Sequence, residues 1–486
     1  MAEIAEKQEP PSPNTTTSPR TIAALDWEND PRNARNWPTT RKIGAALIVS
    51  AIGFVSTFAA SIYASGHEDV AAEFHISSTL ALLPLSFYNL GMAFGPMIAS
   101  PMSETFGRKA VYLTTTPLFA LFILGSGFSQ NLASLIICRF FAGLFGAPGV
   151  SIASATIADT TPPHKRGQPL AAYYSIPYIG SLFGPLIGNF VVSGKGWRWT
   201  QWTVLFFAVS IFPLLAFVRE SYRKTIVQRI AQEENLEIPQ TTRSPSKIIR
   251  NFLTTTVTRP VHMLITEPIV SFVCLYCAFQ FALLYTFVIA APYVFGTVYG
   301  FSLNQQGLSF LGFIVGGLFA PLTIVLFDRF KYQKKYREFV ETYGPGMREV
   351  PPEPRLYPSM VGSIILPTGL FLFAWTARPS IHWICPLVAC GITMCGSILA
   401  YVGANMYMVD TYGPLYGASA AGANSLARYT LSAAFPLFTL QMYRTLGVDW
   451  ATSLLGFCTV AMAPIPWVFH KWGPKLRARS KYEREM

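Results

Sequence analysis

Charge is what this sequence has least of. Only 13% of its 486 residues are Asp, Glu, Lys or Arg, against about 25% in an ordinary soluble domain. With 51% hydrophobic residues, that shortage excludes a soluble globular chain. Catalytic patterns are missing as well: no GxSxG, HExxH or P-loop occurs. The six histidines (His67, His75, His164, His262, His382 and His470) are spread over loops and span ends. An enzyme, a metal centre and a nucleotide-driven pump are therefore not expected, and no cofactor is. The seven cysteines all fall in apolar runs, which excludes a disulfide framework. Cys274 and Cys277 form a CxxC, but without a thioredoxin-like βαβ pattern they read as packing residues. No signal peptide is visible. Residues 1–42 are polar and rich in Pro, Thr and Ser, the composition of a disordered tail. The Asn14 sequon lies in that tail and would escape glycosylation on the cytoplasmic side.

What the chain does have is long apolar runs. A helix crossing the hydrocarbon core needs about 20 apolar residues, and twelve runs qualify. The first six cover 43–64, 79–100, 110–128, 132–153, 169–192 and 201–218. The second six cover 269–291, 305–327, 358–377, 382–405, 417–440 and 451–472. The expected class is an all-α integral membrane protein with an N-terminal six-helix bundle (43–218), a linker (219–268), a C-terminal six-helix bundle (269–472) and a C-tail (473–486). The net charge of +12 does not signal nucleic acid, because the basic residues flank the apolar runs. With the N-terminus in the cytoplasm, 31 of the 37 Lys and Arg fall inside and 4 outside. Both termini and the linker are thus expected to be cytoplasmic. Trp197, Trp199 and Trp202 read as an interfacial belt at the outer start of span 6.

The stretch Gly95 to Lys109, GPMIASPMSETFGRK, joins the second and third spans. Gly107 suits a tight turn, and Glu104 stands four residues before Arg108, as a helical ion pair would require. The halves echo each other. Asp159-Thr160 ends span 4 and Asp410-Thr411 ends span 10; Gly95 and Arg108 are 13 apart, as are Gly316 and Arg329. Such repeats are common in transporters, with the substrate held between the halves near the midplane. Gly180, Gly184 and Gly188 recur on one face of span 5, beside Pro185, and read as a hinge in a span lying between the halves.

Pro101-Met102-Ser103-Glu104-Thr105-Phe106-Gly107-Arg108-Lys109 resembles the loop motif of the major facilitator superfamily. The version is that of its fungal twelve-span drug:proton antiporter subfamily; the general motif has Asp and Arg where Glu104 and Thr105 stand. Arg139 to Gly146 is similar to the family's fourth-span motif, and Gly180 through Gly184-Pro185 to Gly188 to the antiporters' fifth-span motif. Arg219-Glu220-Ser221-Tyr222 and Thr266-Glu267-Pro268 resemble the same group at spans 6 and 7.

The resemblance implies an alternating-access, proton-coupled exporter, monomeric, in the plasma membrane. It also implies a gating network of Gly95, Glu104, Gly107, Arg108, Lys109, Asp159 and Asp410 that holds the N-terminal end of span 11. A static basic turn fits the same residues. Arg139 lies roughly 10 Å below the outer end of span 4 and is read as substrate-binding, with snorkelling as the alternative. Arg428, Gln280 and Tyr285 are the other substrate candidates, Arg428 fitting a structural role equally. The spans as drawn contain no Asp or Glu. A buried cation cargo would go unpaired at a cost of several kcal/mol, so the expected substrate is neutral-amphipathic or anionic, not a polyamine. A facilitator or importer is the alternative transport reading. A non-transporting solute sensor is the alternative of another class, but the linker is too short to form an output domain.

Overall fold

A computed structural model describes residues 26–162, 165–234, 254, 258–344, 351–480 and 482. Asn14 with the rest of residues 1–25, His164, and linker residues 235–253 and 255–257 lie outside the described residues. Where the linker is described it holds two short helices, Arg223–Glu233 and Arg259–Thr266.

Among the described residues, eleven helices are long and apolar enough to cross a membrane, and the last of them, Tyr416–Arg477, has 62 residues. Gly447 (φ 76, ψ 166) breaks that rod, and Gly413 (φ 55, ψ −160) separates it from the rod before it. The glycines therefore turn three spans that run end to end into separate crossings, and the total is twelve. Spans 1 to 5 are Thr39–Ile62, Leu83–Phe106, Arg108–Gly127, Leu132–Thr160 and Gly167–Lys195. Span 6 is Arg198–Phe217; spans 7, 8 and 9 are Pro268–Tyr299, Phe310–Phe327 and Tyr357–Thr376. Span 10 is Ile384–Gly413, and spans 11 and 12 share Tyr416–Arg477 on either side of Gly447. Several helices outrun their apolar cores. Span 4 continues to Thr160 rather than stopping at 153, and span 2 to Phe106 rather than 100. Apolarity marks only the hydrocarbon layer, while the helix projects beyond it.

Small residues set the packing within each half. A Cβ at Gly95 would overlap Ala147 and sit 2.7 Å from the Leu144 carbonyl, so spans 2 and 4 cross backbone to backbone. Gly316 repeats this in the second half, against the Gly391 carbonyl of span 10. Gly95 is thus a helix-crossing residue of the first half, and its repeat partner Gly316 does the same work.

Two expectations change here. Gly180, Gly184 and Gly188 do face one way, but toward span 1: added Cβ atoms would strike Thr57, Ser61 and Ser65. The stripe joins spans inside one half and does not lie between the halves. Pro185 sits within an unbroken helix, and its carbonyl lies 3.5 Å from where a Gly307 Cβ would stand, across the interface. Trp197 is buried, not interfacial; its indole N–H donates to Glu73 (2.7 Å), which also takes Arg198 (2.6 Å).

A candidate transport cavity

At the end of the bundle that carries the termini, Gly107 (φ 95) ends span 2 and starts span 3, as the sequence requires. That turn separates Glu104 from Arg108. They stand on different helices, so the i,i+4 pair does not form, and Glu104 is exposed. Arg108 instead donates from Nε to Asp159 (3.3 Å) and from Nη1 to Ser103 (2.5 Å), with Tyr222 beneath it at 4.7 Å. The carboxylate doing the structural work is Glu220. It accepts from the backbone N–H groups of Arg108 (2.9 Å), Lys109 (3.0 Å), Ser221 (3.1 Å) and Tyr222 (2.9 Å). A carboxylate suits the first turn of span 3 because unpaired N–H groups and the helix dipole point at it. Lys109 Nζ ties back to the Ala216 carbonyl (2.9 Å).

The second half has its own cluster. Arg355, at the approach to span 9, donates to Asp328 (2.8 Å) and Asp410 (2.9 Å), with the Tyr332 ring 3.6 Å from its guanidinium. Asp410 is therefore the counterpart of Asp159, as expected, but the cation it receives is Arg355 and not Arg329. A spacing rule could not find it, because Arg355 lies beyond a long connector. Both ion-pair clusters stay inside one half, so the expected hold on span 11 is not made by Arg108 and Asp159. The halves touch here through Gly167, whose Cβ position is already filled by Asp328 Oδ1 and Arg355 Nη1.

Between the halves lies a cavity of about 240 Å³. Each wall is one face of a helix, with i, i+3, i+4, i+7 spacing on spans 4 and 5 and steps of mostly three or four residues on spans 10 and 11. Span 4 gives Ser151, Ser154, Ala155 and Ala158, and span 5 gives Leu170, Tyr173, Tyr174 and Pro177. Span 10 contributes Tyr401, Asn405, Val409 and Asp410; span 11 contributes Ala418, Ala421, Ser425, Arg428 and Tyr429. Glu104 and Asp410, both exposed, stand at the mouth on the termini side. The opposite end is shut. There Asn89 donates to the Ser432 carbonyl (3.5 Å), joining spans 2 and 11, and Gly307 abuts span 5.

Arg428 occupies the closed end. It is 4% exposed, and its one described hydrogen bond goes from Nη1 to the Tyr401 hydroxyl. Its guanidinium lies 4.7 Å from the Phe281 ring, 5.1 Å from Tyr401 and 4.7 Å from Tyr429. Among the described residues Nε has no partner, nor has the Tyr429 hydroxyl. Asn424, one turn before, donates to Asn405 (2.7 Å) and leaves its own carbonyl oxygen unpaired. Each cation–π contact returns about 0.5–2 kcal/mol, while burying an unpaired charge costs several kcal/mol. The rings make the cation tolerable without neutralising it.

The other substrate candidates lie elsewhere. Arg139 is fully buried within the first half and donates to the carbonyls of Ala59 (2.8 Å) and Ala60 (3.1 Å). Tyr88 (4.3 Å) and Tyr63 (5.1 Å) cover its faces. It neither snorkels nor reaches the cavity; it holds the end of span 1. Gln280 and Tyr285 are fully buried on span 7 and do not line the cavity either. Sequence reasoning missed Tyr401, Ser425 and Tyr429. Their helical spacing from Arg428 and Asn405 was the available signal.

Residues 49–436 match the Major Facilitator Superfamily. The chain belongs to that superfamily. Its relatives are fungal transporters, not enzymes. It is 36% identical over 484 residues to "Polyamine transporter 4" of Saccharomyces cerevisiae, covering 94% of this chain and 73% of that one. It is 36% identical over 465 residues to "Major facilitator superfamily multidrug transporter mdrA" of Aspergillus fumigatus, covering 94% and 75%. It is 36% identical over 475 residues to the "Ascochitine biosynthesis cluster MFS transporter" of Didymella fabae, covering 96% and 90%. Among solved structures, the proton:xylose symporter XylE bound to 6-bromo-6-deoxy-D-glucose aligns with a TM-score of 0.64 at 16% identity, covering 89% of this chain and 97% of that one. The fold is thus that of the superfamily, two six-helix bundles, and the protein is a multi-pass secondary transporter of a small molecule.

Proposed function

We propose that this transporter exports a small anionic or neutral-amphipathic organic molecule in exchange for protons. The observation that carries this is Arg428 at the closed end of the cavity with no carboxylate beside it among the described residues. Asp410 is nine residues along span 10 from Tyr401, roughly 13 Å away. Of the arginines that line the cavity, Arg108 is paired with Asp159 and Arg355 with Asp328 and Asp410, whereas Arg428 has no carboxylate against it among the described residues. An unneutralised cation at the closed end favours an anion there and opposes a polycation. Relatives named as efflux pumps and biosynthesis-cluster transporters support export. The basic connectors support a cytoplasmic side for the cavity mouth, both termini and the linker, and the family resemblance supports the plasma membrane. One chain supplies both halves of the cavity, which supports a monomer.

Alternating access then requires the mouth to close. The Arg108–Asp159 and Arg355–Asp328–Asp410 clusters, with Glu220 on the start of span 3, fix the helix ends that meet at that mouth. Span 5 moves together with span 1, to which Gly180, Gly184 and Gly188 lock it. The carboxylates within reach to take a proton are Glu104, Asp159 and Asp410.

The yeast relative's name favours polyamine transport instead, so the test includes a polyamine. Purified protein is reconstituted into sealed vesicles, and uptake of 1-naphthoate, spermidine and a monocationic dye is followed with and without a pH gradient. Gradient-driven movement of 1-naphthoate but not spermidine is expected. Strong spermidine transport overturns the substrate assignment, and flux unchanged when the gradient is collapsed overturns the coupling.

A further inference from the structure

We infer that the closed end of the cavity is a binding site for planar aromatic carboxylates. This rests on the export reading above and narrows it. Three features meet at one place. Arg428 lines a cavity whose nearest lining carboxylate is at the mouth and keeps a buried, unpaired Nε, and a guanidinium edge matches a carboxylate fork. Tyr401 and Tyr429 flank the guanidinium, and Tyr174 meets Tyr401 edge-on at 6.3 Å, so the walls around the cation are ring faces and edges. Asn424, fixed by Asn405, leaves an amide oxygen unpaired.

The rings of Phe281, Tyr401 and Tyr429 stand around the guanidinium where a counter-ion would be. A flat acid satisfies all three features together. Its carboxylate takes the Arg428 edge, and its ring slides between the tyrosines with offset or edge-on contacts. A hydroxyl or N–H on the ring donates to the Asn424 oxygen, which is otherwise buried without a partner. A saturated acid of the same size keeps the charge but loses the stacking. A neutral amide keeps the ring but leaves the guanidinium unneutralised. A polyamine meets an arginine.

The test is equilibrium binding to the purified full-length protein in lipid nanodiscs. The probes are 1-naphthoate, its amide 1-naphthamide and its saturated analogue decahydro-1-naphthoate. The acid is expected to bind at least about tenfold tighter than either control. Arg428→Gln should erase the preference over the amide, and Arg428→Lys should restore only part of it. The wild-type comparison stands even if a variant fails to fold. Equal affinity for naphthoate and naphthamide overturns the inference while leaving export of a neutral molecule intact. Equal affinity for the flat and saturated acids overturns the aromatic part alone. Displacement of bound naphthoate by micromolar spermidine overturns both the inference and the reading beneath it.

Discussion

Two arginines are buried at membrane depth in this protein, one in each half, and both lie against tyrosine rings. Arg139 gives both Nη groups to backbone carbonyls of span 1, Tyr63 and Tyr88 cover its faces, and its Nε is left without a partner among the described residues, away from the cavity lining. Arg428 has a single tyrosine hydroxyl and an unpartnered Nε at the end of a cavity. The difference shows that burial of a charge does not by itself mark a binding site. What marks one is leftover donor capacity at the wall of a cavity. Arg139 has both Nη groups on backbone carbonyls, lies off the cavity and reads as structure. Arg428 has one tyrosine hydroxyl, lines the cavity and reads as function.

The comparison breaks most visibly on folding. Arg139→Leu should strip the Ala59 and Ala60 carbonyls of their side-chain donor, at a cost of roughly 2–6 kcal/mol. Little monodisperse protein should survive size-exclusion chromatography. A stable Arg139→Leu protein with altered substrate preference would return that residue to the cavity. Next in size is Arg355→Ala. It leaves Asp328, 5% exposed, without its cation, which costs about 3–5 kcal/mol. A fall in melting temperature larger than that of Arg108→Ala is expected. Arg108→Ala should retain protein and membrane delivery while impairing flux, because Asp159 keeps Ser221 and is less buried.

Arg428→Gln should shift the melting temperature little and lower naphthoate flux at least about tenfold. Loss of fold instead of flux would erase the distinction between the two arginines. The smallest effect is expected at Glu234. Its contact with Arg32 joins the N-terminal segment to the linker at 3.0 Å, but both side chains are largely exposed, and Arg32 keeps Asp30 at 2.8 Å when Glu234 is removed. Glu234→Ala should change stability by less than about 1 kcal/mol. A larger loss of flux would show that this segment takes part in transport.

A second comparison separates the clusters at the mouth. Asp159 and Asp410 were legible as a repeat because they stand at the same place in each half, and each does receive an arginine. Their partners were only half legible. Arg108 follows Gly107 in a short turn whose geometry the residues dictate. Arg355 arrives after a connector that no periodicity spans. Glu220 was visible only as part of a resemblance. Its role depends on where the start of span 3 falls relative to the end of span 6, and side-chain spacing along the chain does not contain that distance.

By itself the sequence determined the class, the twelve crossings, the two-fold repeat and the glycines at which backbones must turn or touch. These follow from local physics: hydrocarbon thickness sets span length, and the missing Cβ sets close approach and positive φ. Only the tertiary structure decided which polar residues face the cavity. Every span offers several faces. Rotation of a helix about its axis by one residue, 100° in a 3.6-residue turn, exchanges a buried side chain for a lining one. Packing of the helices against one another fixed those rotations, with Gln280, Tyr285 and Arg139 in the core and Arg428, Asn405 and Asn424 on the wall.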